Sequence, residues 1–206
     1  MTLSKFSQSD ERRRILKFFL ACRKERRCLL QPIEAVQLML ALEAVSKIPG
    51  DVAEVGSFEG VSAKLLAATD CRRTLHIFDT FEGLPDPGKK DSTGFYSGQY
   101  RASEAEVKKY LQDFTVRVYK GLFPSTAGPI TDKTFAFVHL DVDLYESTKA
   151  CLEFFYPRMS SGGIILTHDY AARKEGVYQA FQEFFADKLE PVIELGGNQG
   201  MVVKLR

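Results

Sequence analysis

Four short stretches put chargeable side chains directly after apolar runs. They are Glu54-Val-Gly56-Ser57-Phe-Glu-Gly60-Val-Ser62, Asp79-Thr80-Phe81, His139-Leu-Asp141-Val-Asp143-Leu-Tyr145 and Thr167-His168-Asp169-Tyr170. Asp141 and Asp169 have the clearest chemical consequence. Two carboxylates leaving neighbouring strands at one edge repel unless a positive group sits between them. A divalent cation is the economical solution. Oxygen ligands suit Mg2+ or Mn2+, and an imidazole at His168 tilts the choice toward Mn2+ or a later metal. An ion at Asp141, His168 and Asp169 would acidify a hydroxyl group, and a nearby carboxylate would remove its proton. A plainer alternative fits the same spacing: Asp143 caps a helix starting near Tyr145, His168 packs behind it, and no ion binds. His76 and His139 lie inside apolar runs and read as core histidines.

The turn at Gly56 points to a second ligand. It does not read G-x-G-x-x-G, because Phe58 stands where a dinucleotide's pyrophosphate would need a glycine. A ligand without a pyrophosphate fits this turn better. Gly56 would let the backbone approach that ligand, and Gly60 would let the next helix start close to the strand. Glu54 is placed to meet the ammonium group of a bound amino acid, directly or through water. Asp79 is placed to accept two hydrogen bonds from ribose hydroxyls. Ser57, Ser62, Thr80, Phe81 and Gly121 are expected to face the same ligand. The alternative is that the glycines serve backbone geometry alone and that Asp79 shapes a turn.

These residues need a scaffold that brings their strand ends together. Helical periodicity covers about Asp10 to Lys47, with a second helix from Pro32 to Ser46 that Pro49-Gly50 ends. From Asp51 the pattern alternates. Short apolar strands are expected at Asp51–Val55, Thr74–Phe78, Thr115–Tyr119, Phe135–Leu140 and Gly163–Thr167. Helices are expected at Val61–Thr69, from Ser103 with a capping box to Glu106, at Glu146–Tyr156 and at Val177–Phe185. A Gly- and Pro-rich segment from Thr80 to Ala102 is long enough to be a lid or binding loop. Strands near Val192–Leu195 and Met201–Leu205 are joined by Gly196-Gly-Asn-Gln-Gly200, a hairpin signal. The expected fold is α/β: a mostly parallel seven-stranded, Rossmann-like sheet with a C-terminal antiparallel hairpin. That architecture is associated with class I methyltransferases. The division expected is an N-terminal helical extension over 1–48 and the catalytic domain over 49–206.

Composition narrows the partners. The 206 residues carry 28 basic and 27 acidic side chains, a formal charge of +1. Such balance gives no reason to expect nucleic acid or an anionic membrane. No apolar run is long enough to span a bilayer, and charges interrupt the N-terminal stretch too early for a signal peptide. The four cysteines have no metal-like spacing and read as reduced thiols of a cytoplasmic protein. The N-terminal helical pair offers a surface for a homodimer or a lid over the pocket.

At these motifs the chain resembles the macrocin O-methyltransferase (TylF) family of bacterial natural-product enzymes. The matching stretches are Val52-Ala-Glu-Val-Gly-Ser-Phe-Glu-Gly60, Phe78-Asp-Thr-Phe-Glu-Gly-Leu-Pro-Asp86, Gly121-Leu-Phe-Pro, Leu140-Asp-Val-Asp-Leu-Tyr-Glu-Ser-Thr148 and Gly162-Gly-Ile-Ile-Leu-Thr-His-Asp-Tyr170. The resemblance implies S-adenosylmethionine and Mg2+-dependent methylation of a sugar or similar hydroxyl on a small molecule. It implies Asp141 and Asp169 as metal ligands and Asp143 as a candidate base, with Asp141, which touches the same substrate oxygens, as the other candidate. The family usually shows two adjacent acids where this chain has His168-Asp169. That departure keeps a metal-independent O- or N-methyltransferase of the same fold as the alternative. Substrate choice is expected in residues 88–101 and in the N-terminal helices.

Overall fold

The computed structural model describes residues 9–170 and 176–206. The reading of the N-terminus as no signal peptide begins in residues 1–8, outside those described. Helix α1 (Asp10–Glu25) starts at Ser9, whose side chain accepts a hydrogen bond from the Arg12 amide. Ile15, Leu16, Phe19 and Cys22 form its buried stripe. Helix α2 (Pro32–Ala44) opens with Pro32 in its first turn, and Glu34 accepts from the Gln31 amide at 2.7 Å. The chain then alternates: β1 (Asp51–Val55), α3 (Val61–Thr69), β2 (Leu75–Asp79), α4 (Glu104–Tyr110), β3 (Val116–Lys120), β4 (Phe135–Leu140), α5 (Tyr145–Phe155), β5 (Met159–Thr167), α6 (Gly176–Phe185), β6 (Ile193–Glu194) and β7 (Gly200–Val203).

The seven strands form one sheet in the order β3-β2-β1-β4-β5-β7-β6. Strands β1 to β5 pair in parallel, whereas β7 runs antiparallel to both β5 and β6. This is the expected Rossmann-like methyltransferase fold. Strand β4 is buried along its whole length because helices cover both faces of the sheet. One apolar cluster runs from Phe19 and Leu38 on the N-terminal helices to Val52 and Ile77 on the sheet. The other face holds Phe78, Phe135, Phe155 and Phe181. All four cysteines are free. Among the described residues, no helix is long and apolar enough to cross a membrane.

Two local differences from expectation have physical reasons. Strand β5 begins at Met159 rather than Gly163, since Gly162 and Gly163 exchange backbone hydrogen bonds with Lys204. A polar Ser-Ser-Gly-Gly stretch carries no apolar signal of that pairing. Ser103 caps α4 by accepting from the Glu106 amide, but the Glu106 carboxylate turns to Arg26 at 2.8 Å instead of closing the capping box. That ion pair fastens the end of α1 to the sheet layer.

Candidate active site

The strand order reverses between β1 and β4, and ligands in such sheets bind where the carboxyl ends of those strands diverge. Backbone bonds continue across these ends and hold the site residues in register. Gly56 donates to the Phe78 carbonyl at 2.8 Å, Asp141 to that of Val55 at 2.9 Å, and His168 to that of Leu140 at 2.9 Å. A cleft of about 300 Å³ opens above them, at the scale of a small-molecule site. Gly56 adopts φ 84°, and a Cβ there would sit 1.9 Å from the Asp141 carbonyl oxygen. The glycine therefore lets two strand ends meet. It locks the first turn to the Asp141 segment as well as clearing space for a ligand.

Gly56, Ser57, Ser62, Asp79, Thr80 and Gly121, the residues expected to face the cofactor, line the cleft. Asp79 is more occupied than the sequence suggests. Its Oδ2 accepts from the Ser57 amide at 2.7 Å, the Phe58 amide at 2.9 Å and the Ser57 hydroxyl at 3.2 Å, while Oδ1 accepts from the Phe81 amide at 2.7 Å. A carboxylate has roughly four acceptor sites, so Oδ1 keeps one for a ligand and Oδ2 keeps none. Asp79 thus shapes the turn and keeps one acceptor site on Oδ1 open.

Glu54, Gly60 and Phe81 stand behind the cleft wall. Strand alternation puts Glu54 on the same face as Val52, under the N-terminal helices, and register pairs it with His139. Its Oε1 lies 2.9 Å from His139 Nδ1 with both side chains fully buried. Burial pushes the Glu54 carboxyl up against the opposing pull of His139. Glu54 is thus a core partner of His139. Gly60 faces Val107 of α4, and Phe81 is buried while its amide steadies Asp79. His76 is likewise a core histidine, held between Asp51 and Tyr119.

At the other end, donor atoms of Asp141, His168 and Asp169 all lie within 4.8 Å of one another. Two carboxylates and an imidazole nitrogen are a donor set that fits a divalent cation. His168 Nδ1 is 3.2 Å from Asp169 Oδ2 and 3.5 Å from Asp141 Oδ1, and its Nε2 is 3.2 Å from Glu34 Oε2. Burial alone would lower the His168 pKa, but Asp141, Asp169 and Glu34 overcome it and push the value up to about 12. Burial, then Asp141 and Asp169, raise Asp143 to about 9. Asp141 is raised as well, by burial and by Asp169, against the pull of His168. Asp143 does not cap α5. The cap is made by Asp91, whose Oδ1 accepts from the Tyr145 amide at 2.7 Å. Asp143 and Asp169 both hold φ 58°, and Phe58 and Tyr100 on the cleft wall are also left-handed. Non-glycine residues in that region are uncommon and cluster where surrounding structure holds a site in shape.

Several cleft residues carry no sequence signal. Arg27 stacks over Phe58 at 5.3 Å, and Phe58 meets Tyr100 edge-on at 6.0 Å, forming one rim. Glu34, Asp91 and Asn198 reach the site from elements far away in the chain.

The model of the macrocin-O-methyltransferase (TylF) family matches residues 31–195. The chain belongs to that family. Within it, the chain is 31% identical over 159 residues to the 8-demethyl-8-(2,3-dimethoxy-alpha-L-rhamnosyl)-tetracenomycin-C 4'-O-methyltransferase of Streptomyces olivaceus, covering 69% of this chain and 61% of that protein. It is 32% identical over 142 residues to demethyldecarbamoylnovobiocin O-methyltransferase of Streptomyces niveus, covering 61% and 54%. The chain thus spans less than two thirds of these curated relatives. The solved O-methyltransferase NovP superposes with a TM-score of 0.70 at 25% identity, covering 82% of this TylF-family chain and 78% of NovP.

Proposed function

We propose that this protein transfers a methyl group from S-adenosylmethionine to a hydroxyl of a sugar-like or other small natural product, aided by a divalent cation. One observation carries the reading. Gly56, Ser57 and Asp79 line the same cleft as Asp141, Asp143, His168 and Asp169. The relatives add support, since both are O-methyltransferases by name and one is named for a rhamnosyl compound. S-Adenosylmethionine would supply a sulfonium methyl, and Mg2+ or Mn2+ the charge that acidifies a hydroxyl.

The protein's own residues do the rest. Asp79 and the Ser57 turn would hold the cofactor, and Asp141, His168 and Asp169 would hold the cation. Asp143 would accept the hydroxyl proton, as a carboxylate on the cleft wall beside the residues that would hold the cation. Leu29 and Leu122, exposed at the mouth, offer apolar surface to the body of the acceptor. Fixing both reactants in one cleft supplies the alignment that in-line transfer needs.

A metal-independent transfer has one observation on its side. His168 already stands between Asp141, Asp169 and Glu34, where an imidazolium would serve as the positive group. Methyl transfer to a panel of glycosylated acceptors, assayed with EDTA and then with Mg2+ or Mn2+ restored, separates the two. Loss and recovery of turnover is expected. Activity untouched by EDTA selects the metal-independent reading.

A further inference from the structure

We propose that Glu34 of α2 is a positioning residue for His168, making the N-terminal helical layer part of the cation site. The inference rests on the cation reading above. Glu34 is 1% exposed, an unusual place for a carboxylate without a fixed task. Its Oε2 lies 3.2 Å from His168 Nε2 and accepts from the Gln31 amide at 2.7 Å, while Oε1 accepts from the Asn198 amide at 2.8 Å. The carboxylate is therefore held at both oxygens before it meets the imidazole.

That contact divides the work of the ring. Nε2 faces Glu34, so Nε2 carries the proton and donates it. Nδ1 faces Asp141 and Asp169, and once a cation took the place of its proton, its lone pair would point into that donor cluster. A histidine that binds a metal through one nitrogen commonly gives the other N–H to a carboxylate, which fixes the tautomer and raises the ligand's basicity. The arrangement extends to Asp169. Asn198, in the turn between β6 and β7, donates from Nδ2 to Asp169 Oδ1 at 2.7 Å. The turn packs against Glu34 so closely that a Cβ on Gly197 would lie 2.8 Å from Glu34 Oε1. Glu34 and Asn198 thus back two of the three donors, one from each end of the chain. A site with His168 in place of an acid depends on this support, since an unguided imidazole can turn its lone pair elsewhere.

Mn2+ binding to the full chain, without cofactor or acceptor, tests the inference by calorimetry and by pulsed electron paramagnetic resonance on 15N-histidine-labelled protein. Wild-type protein is expected to bind Mn2+ with a 15N coupling from one imidazole. Glu34→Gln is expected to weaken binding roughly 10- to 100-fold and to reduce that coupling. In a His168→Asp background the same Glu34→Gln change is expected to leave Mn2+ affinity unchanged or tighter, because no imidazole remains to be oriented. Glu34→Asp, which keeps the charge but withdraws it by one methylene, replaces Glu34→Gln in both backgrounds if thermal melting shows that variant to be unfolded. Wild-type affinity and coupling in the Glu34 variant would overturn the inference while leaving the cation site standing. Equal losses in both backgrounds would also overturn it, by showing a general packing role. No Mn2+ binding by wild-type protein would overturn the cation site and this inference together.

Discussion

The two ends of the cleft are built differently. At the cofactor end, one carboxylate gathers a turn: Asp79 collects the amides of Ser57, Phe58 and Phe81, all within 22 residues of it. At the proposed cation end, the support comes from afar. Glu34 is 134 residues from His168, Asp91 is 54 from Tyr145, and Asn198 is 29 from Asp169. The Asp79 turn at the first end forms once β1 and β2 pair. The second exists only when the helical layer, the long loop and the closing hairpin have all docked. Damage at the first should therefore stay local, whereas damage at the second should couple ion binding to the packing of distant elements.

The largest expected effect is at the residue that joins the two. Gly56→Ala puts a methyl group against the Asp141 carbonyl in a left-handed backbone, so a loss of about 3 kcal/mol or more is expected. Urea denaturation checks this, and a change under about 1 kcal/mol would break the claim that the strand ends are locked together. Asp141→Asn comes next. It leaves a neutral, poorer ligand, and calorimetry should show Mn2+ binding lost while S-adenosylhomocysteine affinity stays within about threefold. A parallel loss of both would mean that the two ends do not act separately.

Protons should stand in for the cation when it is removed. Folding raises Asp143 from the usual carboxylate range to about 9 and His168 from the usual imidazole range to about 12. Between pH 7 and 9 the folded protein then holds protons that the unfolded chain has released. Stability must fall as pH rises through that window. A melting temperature several degrees lower at pH 9 than at pH 7 is expected in EDTA-treated protein, and saturating Mn2+ should shrink the difference. A flat profile in EDTA would show that the acids of the cation end are not crowded as the geometry implies. At the cofactor end, Asp79→Ala should weaken S-adenosylhomocysteine binding about tenfold and cost about 1–3 kcal/mol of stability, since three amides lose their acceptor. Unchanged stability with weakened binding would return Asp79 to a purely ligand-facing role.

The same contrast explains what was legible in the sequence. Strands β1 and β4 and helix α3 stand where the pattern places them, because each is an apolar run ended by a glycine, an aspartate or a polar turn. The motif residues Gly56, Asp79, Asp141 and Asp169 reach one cleft because parallel strands deliver their carboxyl ends to one edge. The pairing of Glu54 with His139 was not legible, because period-two alternation fixes which face a residue takes, while the partner lies on another strand. Glu34 was invisible for a related reason. In a helix rich in Ala, Leu and Met it looks like a capping glutamate, which it also is. Its second task depends on a contact that only the folded chain makes.

The long loop from Thr80 to Ala102 gives the finest test of the comparison, because neighbouring residues fasten it by different kinds of contact, and the Gly176 amide also donates to the Lys90 carbonyl at 2.8 Å. Lys90 pairs with Glu183 at 2.9 Å and lies over the Tyr145 ring at 3.8 Å, on an exposed surface. Asp91 instead accepts two backbone amides, those of Gly88 and Tyr145, each at 2.7 Å. Exposed ion pairs are weakened by water and salt, so Lys90→Met should leave the melting curve unmoved. Helix α5 has no other side-chain cap, and Asp91→Ala should therefore cost about 1 kcal/mol. Because Asp143 lies just before that helix in a left-handed conformation, Asp91→Ala should also raise the KM for the acceptor while leaving S-adenosylhomocysteine affinity unchanged. Equal, small effects from the two variants would mean that the Asp91 anchor holds the loop no more firmly than the surface pair does. The cation end would then owe less to distant backbone anchoring than the contrast with the Asp79 turn implies.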